Sequence, residues 1–257
     1  MSKISNLMTH LVANYPDPAT FQQALEAMLE SSVEYLEIQL PFTNPVADGF
    51  KIFTANQIAL KHNCSLDSIL EIINKTYNPA IHTTKLILMT YLTPIYVLGF
   101  ESVVNKLKNQ SFAGIIVPDL IEGSREFDQL NNLCADNKLE FVSVISPITT
   151  SERLRQIKSK LQINQLVYAT ARAGKTGPKT DFSQLQPYLD TLKNNLAEYK
   201  IAVGFGISER SQVDFLNQQG FVAVIGSEIV SQIQLAKEQN NITKNQITTY
   251  LKSISND

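Results

Sequence analysis

Residues 35–50 read YLEIQLPFTNPVADGF, an alternating run that breaks into a loop punctuated by Pro and Gly. In an extended chain Leu36, Ile38 and Leu40 share one face, and Tyr35, Glu37 and Gln39 share the other. The aliphatic face suits packing under helices, which turns Glu37 the opposite way. Seven further strand-like runs occur, at residues 7–13, 85–90, 114–117, 140–145, 166–170, 201–204 and 223–225. Helical periods separate them. Asp17 and Pro18 supply a start signal, after which Phe21, Ala24, Leu25, Met28 and Leu29 fall on one stripe. Shorter stripes are formed by Val103, Val104 and Leu107 and by Leu154, Ile157 and Leu161; a longer one runs through Phe182, Leu185, Leu189, Leu192 and Leu196. Strands alternating with helices imply parallel crossovers. Eight such units in 257 residues predict an α/β fold, a single (β/α)8 TIM barrel over residues 1–257. An open dinucleotide-binding sheet is the weaker reading, because no GxGxxG follows the first strand.

Bulk properties narrow the function classes. Net charge is −2 and the basic residues are scattered, so no electrostatic footprint for nucleic acid or an anionic membrane is present. Cys64 and Cys134 are the two cysteines and form no CxxC, which argues against a disulfide framework or a zinc site. The amino terminus lacks a signal-peptide pattern, and the longest apolar stretch, LILMTYLTPIYVLGF, is broken by Thr and Pro. A cytoplasmic protein acting on small molecules or protein partners is expected. The Asn- and Gln-rich tail, residues 237–257, reads as a terminal helix with a loose end.

A barrel of this kind carries its site at the carboxyl ends of its strands. Glu37 qualifies, since interior carboxylates are costly to ionise and so suit proton transfer near neutral pH. The blander reading is a structural acid satisfied by hydrogen bonds. Asp48, ahead of Gly49, would ordinarily form a turn; its place in the loop after this strand hangs it over the barrel mouth instead. Five of the ten glycines fall in three late segments, ARAGKTG (171–177), VGFGIS (203–208) and IGSEIV (225–230). They follow the sixth, seventh and eighth strands. Barrels often build a phosphate cradle after the last two from backbone N–H groups and a short helix, here beginning at Ser227.

Together, LEIQLPFTNPVADGF, VYATARAGKTG, VGFGIS and VIGSEIV resemble the tryptophan synthase α chain family, in the same order and at compatible spacing. The likeness runs from about residue 11 to 230 and includes PDP (16–18), LMTYLTPIYVLG (88–99), GIIVPDL (114–120) and SPITTSERL (146–154). It implies a carbon–carbon lyase that cleaves indole-3-glycerol phosphate by retro-aldol chemistry to indole and glyceraldehyde 3-phosphate. Indole would pass to a PLP-dependent β subunit in an α2β2 assembly. No metal or organic cofactor is implied for this chain. By resemblance, Glu37 is the general acid/base and Asp48 the partner of the indole N–H. Tyr168 is the tyrosine facing the glutamate, and Tyr91, Ile145 and Phe205 form the slot around the ring. Gly177, Gly206, Gly226 and Ser227 would contact phosphate. Arg172 and Thr176 lie in a segment resembling a closing loop, with Thr176 helping to order Asp48.

The chain also departs from the family pattern. Asn14 and Pro16 replace residues of a T-x-G-D-P run, Gln39 stands where Gly usually follows the catalytic strand, and Asn44 replaces an Asp. Phe50 and Phe53 replace Pro and Gln, Thr93 an Asn, Ile121 a Pro, and Lys175 an apolar residue. Many of these belong to the face the resemblance assigns to β docking, where Phe50 and Phe53 read equally as apolar anchors or replacement packing. Loss of a carboxylate at Asn44 implies weaker inter-subunit signalling. Two other functions compete. One is a catalytically weakened α-like subunit that binds and modulates a β subunit; the intact Glu37, Asp48 and Tyr168 oppose it. The other is a different phosphosugar barrel aldolase or isomerase, but a Schiff-base enzyme needs an interior lysine. Lys85 sits at the wrong strand end and Lys175 in a loop.

Overall fold

The structure, a computed structural model, describes residues 4–170, 185–204 and 206–255. Eight strands, β1 (Ile4–Val12), β2 (Val33–Gln39), β3 (Lys85–Met89), β4 (Gly114–Ile116), β5 (Glu140–Ile145), β6 (Leu166–Thr170), β7 (Lys200–Gly204) and β8 (Val222–Ile225), pair in chain order. Every pairing is parallel, and β1 also pairs β8, which closes the expected (β/α)8 barrel. Closure leaves no unpaired sheet edge.

Alternation along the strands sorts side chains into two apolar layers. Met8, Tyr35, Ile87, Ile116, Val142, Leu166 and Val222 fill the interior. Leu7, Leu11, Leu36, Ile38, Leu86, Leu88, Val167 and Val203 point outward and pack under the helices. Helix α1 (Pro18–Glu30) begins as its sequence dictates: Pro18 occupies the first turn and the Asp17 carboxylate accepts the Thr20 N–H at 2.9 Å. Between β2 and β3 lie α2 (Phe50–Ala59) and α3 (Leu66–Thr76); between β3 and β4 lie α4 (Leu92–Leu98) and α5 (Phe100–Asn109). The remaining crossovers use α6 (Arg125–Asp136), α7 (Ser151–Lys158), α8 (Gln186–Leu196) and α9 (Arg210–Asn217).

After β8 the chain forms α10 (Ser227–Glu238) and α11 (Thr243–Ile254). Helix α10, at 12 residues, is longer than the short phosphate-site helix the sequence suggests. The tail is not loose over its described length. Ile247, Leu251 and Ile254 are buried, Gln23 accepts the Thr243 N–H, and Lys244 pairs with Glu26 and Glu30 of α1. The helical spacing of those three aliphatics outweighs the polar composition around them. Two stripes also extend past their helices: α7 stops at Lys158, leaving Leu161 beyond it, and α8 starts after Leu185.

Candidate active site

The carboxyl ends of the strands surround an open pocket of about 920 Å³. Its acidic wall is built by β2 and the loop that follows. Glu37 is 5% exposed and projects inward, as the alternation of YLEIQL requires. Asp48, 8% exposed, enters the same pocket from the loop. Several bonds fix that loop. Asp48 N–H donates to the Pro45 carbonyl at 3.0 Å, closing a turn. Asn56 of α2 accepts the Phe42 N–H at 3.0 Å while its own amide donates to the Ile52 carbonyl. Gln39, fully buried, donates from Nε2 to Asp48 Oδ2 at 2.6 Å. The residue that departs from the family pattern at the end of β2 is thus the clamp on the second acid.

Burial pushes the Asp48 carboxyl above its ordinary value, and the Glu37 charge adds to the rise; the Gln39 bond, His10 and the Tyr91 hydroxyl oppose it. Tyr168 of β6 lines the pocket opposite. Burial and the charges of Glu37 and Asp48 hold its phenol well above the usual range, so the hydroxyl stays protonated and can donate. Its ring lies over β7. A Cβ built on Gly204 would fall 2.6 Å from the Tyr168 hydroxyl, so only glycine leaves room there. Gly204→Ala is therefore expected to displace the Tyr168 ring and lower kcat about tenfold or more, while the barrel remains folded; steady-state kinetics with far-UV circular dichroism checks both.

Gly206, Gly226 and Ser227 also line the pocket. Gly206 has φ +80°, which frees the β7–α9 turn to bend toward the pocket. Gly226 caps α10 and Ser227 opens it, so the amino-terminal, positive dipole end of that helix borders the cavity. Met89, Ile116 and Val144 supply the apolar floor.

Two expected ring contacts are placed differently. Ile145 is buried in the outer layer and lines a separate cleft with Leu154 and Tyr188; Val144, one residue earlier, faces the pocket. A one-residue step along a strand reverses the face. Tyr91 is fully buried, stacks on Phe42 with ring centroids 5.4 Å apart, and does not line the cavity. Its hydroxyl accepts the Ala47 N–H at 3.2 Å and bears on Asp48, so it supports the acid rather than the ring. Arg172, Thr176, Gly177 and Phe205 lie outside the described residues. Lys85 is exposed at the start of β3, against the Tyr35 ring and away from the mouth, as the Schiff-base argument required. Among the described residues no three His, Cys, Asp or Glu side chains cluster as metal ligands would.

Sequence reasoning misses His10. It is 4% exposed, lines the pocket, and places Nδ1 3.3 Å from Glu37 Oε2. The signal is available in phase: His10 lies two residues after interior Met8 on β1. Its significance comes from register, which sets His10 directly beside Glu37.

Fold and site together define a (β/α)8 barrel enzyme whose mouth holds two buried carboxylates in one pocket with two glycines and the start of a helix. Comparison with known proteins specifies it further. A family model described as tryptophan synthase alpha chain matches residues 2–256, and the chain belongs to that family. It is 33% identical to the tryptophan synthase alpha chain of Desulforapulum autotrophicum, over 89% of this chain and 88% of the relative. A mutant tryptophan synthase alpha-subunit from the hyperthermophile Pyrococcus furiosus superposes with a TM-score of 0.81 at 26% identity, covering 99% of both chains. A chain of the tryptophan synthase complex from the same organism gives 0.79 at 25% identity, again covering 99% of both. The function of the family's α chain is carbon–carbon bond cleavage of indole-3-glycerol phosphate in tryptophan biosynthesis, and membership implies a β-subunit partner. No helix among the described residues is long and apolar enough to cross a membrane.

Proposed function

We propose that this chain performs the lyase reaction with Glu37 as its acid/base and Asp48 as the stabiliser of the ring, on indole-3-glycerol phosphate bound across the barrel mouth. The observation that carries the assignment is the entry of both carboxylates into one cavity, from β2 and from its loop, together with Gly206, Gly226 and Ser227. The phosphate ester accepts backbone N–H bonds at the start of α10. Glu37, protonated, delivers its proton to indole C3. The ring nitrogen then carries positive charge, which the Asp48 carboxylate stabilises through the N–H. The Glu37 carboxylate next takes the proton of the glycerol hydroxyl bonded to the carbon attached to C3. That carbon becomes the aldehyde as its bond to C3 breaks, and the electron pair restores the indole. One proton leaves Glu37 and one returns, so the site is reset without a cofactor from this chain.

Tyr168 supplies a protonated hydroxyl beside both acids, and Val144, Met89 and Ile116 supply the apolar surface for the ring. Phe205, Arg172, Thr176 and Gly177 keep the roles the resemblance gives them, as contacts to ring, closing loop and phosphate. We read residues 1–257 as one catalytic domain, acting in the cytoplasm within an α2β2 complex.

Exposure supports the docking face that the resemblance suggests. Phe50 is 82% exposed, Phe53 40%, Val97 80% and Ile121 73%. Such exposure supports the apolar-anchor reading of Phe50 over replacement packing. Phe50→Asp is expected to weaken association with the cognate β subunit about tenfold or more, measured by isothermal titration, and to leave the free chain's thermal midpoint unchanged. Turnover of indole-3-glycerol phosphate by the chain with its β subunit tests the activity. Its absence in every mixture would leave the modulatory α-like subunit as the reading.

A further inference from the structure

We propose that His10 is a positioning residue for Glu37 that also stores its proton, so that the acid/base unit of this site is a His10–Glu37 pair and not a lone carboxylate. The inference rests on the lyase reading above and deepens it. The two side chains project inward from adjacent strands in direct register, with Nδ1 and Oε2 3.3 Å apart and both residues nearly sealed from solvent. The inventory of donors and acceptors around the ring is incomplete for a neutral imidazole. His10 Nε2 and Gln39 Oε1 are both buried without a hydrogen-bond partner among the described residues. The Gln39 amide nevertheless bears on the ring and favours its charged form. A protonated ring donates Nδ1–H to Glu37 and carries a second donor at the buried Nε2. Gln39 in turn grips Asp48 at 2.6 Å. Each acid thus has its own buried partner, His10 for Glu37 and Gln39 for Asp48.

The surroundings name what the ring feels. Burial pushes the imidazole down, but the Glu37 charge and hydrogen bond, with Asp48 behind them, outweigh it and hold the ring above its ordinary value. Tyr168 of β6 faces the same acids and stays protonated. From β8 and α2 the neighbours of this corner are Gly226 and Ile52, neither titratable; a Cβ on Gly226 would sit 3.5 Å from Ile52 and 3.6 Å from His10 Cβ. One proton is thus shared between His10 and Glu37. It moves to Glu37 when that group protonates C3, leaving a neutral ring and a carboxylate. The hydroxyl proton then returns to Glu37 and re-forms the pair, so protons balance over the cycle.

The chain has three histidines, and His62 is exposed and His82 half-buried, so the buried ring is readily resolved by imidazole 15N NMR of the full chain. His10 is expected to titrate above the ordinary imidazole value, and to move lower in Glu37→Gln. A His10 titration unmoved by Glu37→Gln would overturn the pair, whatever the activity. In kinetics with the β subunit, His10→Met is expected to lower kcat about tenfold to a hundredfold with KM changed less than about threefold, and to displace one limb of the pH profile of kcat. His10→Asn, which keeps a donor near Nδ1 but cannot hold the proton, is expected to recover part of kcat without restoring that limb. Wild-type kcat and an unshifted profile in folded His10→Met would refute the proposal, whereas no turnover by the wild type would refute the lyase reading and leave the NMR result to decide the pair.

Discussion

Glu37→Gln is expected to lower kcat for indole-3-glycerol phosphate cleavage by about a thousandfold or more, with KM within a fewfold of wild type. The amide keeps the shape of the side chain on β2 and can still contact His10, so binding through the phosphate cradle at Gly226 and Ser227 is retained. What it loses is the capacity to give a proton to carbon and to take one from the hydroxyl. General acid–base residues contribute about 10² to 10⁴ in rate, and here one residue serves both transfers, which puts the expectation toward the upper end. Stopped-flow or coupled detection of indole with wild type and variant, each saturated with β subunit, measures it. A loss carried mainly by KM would mean that Glu37 binds substrate rather than reacting with it.

Asp48→Asn separates charge from hydrogen bonding at the second acid. Asparagine can accept a bond from the indole N–H, but it cannot neutralise the positive charge that appears there once C3 is protonated. Electrostatic stabilisation of that kind is worth about 10² to 10³ in kcat, and the expected loss lies in that range. Since burial and Glu37 raise the Asp48 carboxyl, its protonation at low pH should imitate the variant: activity falls as pH drops through that raised value, and the fall is absent in Asp48→Asn. An Asp48→Asn enzyme with wild-type kcat would remove Asp48 from the chemistry and leave it a structural member of the loop.

The two acids, the barrel and most strand ends are legible because their signals are local. Residues 140–145 and 166–170 bear the alternation of a strand and end in turn-prone sequence, and the structure places β5 and β6 on those residues. Glu37 can be turned inward by counting along YLEIQL, with no knowledge of its neighbours. What local reading lacks is pairing across the sheet. His10 is an ordinary histidine on β1 until register sets it against Glu37 on the next strand. Gln39 shows in the sequence as a departure from a glycine; that it reaches Asp48 depends on the turn held by Pro45 and on Asn56 anchoring Phe42. Ile145 and Tyr91 illustrate the converse. Each lies close to a residue that does line the pocket, Val144 in one case and Met89 in the other, and proximity along the chain says nothing about which face a side chain takes. Composition misleads at the tail: Asn and Gln are frequent in residues 239–246, while Ile247, Leu251 and Ile254 seal it onto the barrel.

A flat heterocycle held between two carboxylates, with its phosphate on a helix terminus, is the arrangement from which every rate effect above descends. A crystal structure of the Glu37→Gln variant soaked with indole-3-glycerol phosphate tests that arrangement most directly. The ring nitrogen is expected within about 3 Å of an Asp48 oxygen, C3 beside the residue 37 amide, and phosphate oxygens on the N–H groups of Gly226 and Ser227. A phosphate bound elsewhere, or a ring whose nitrogen points away from Asp48, would contradict it.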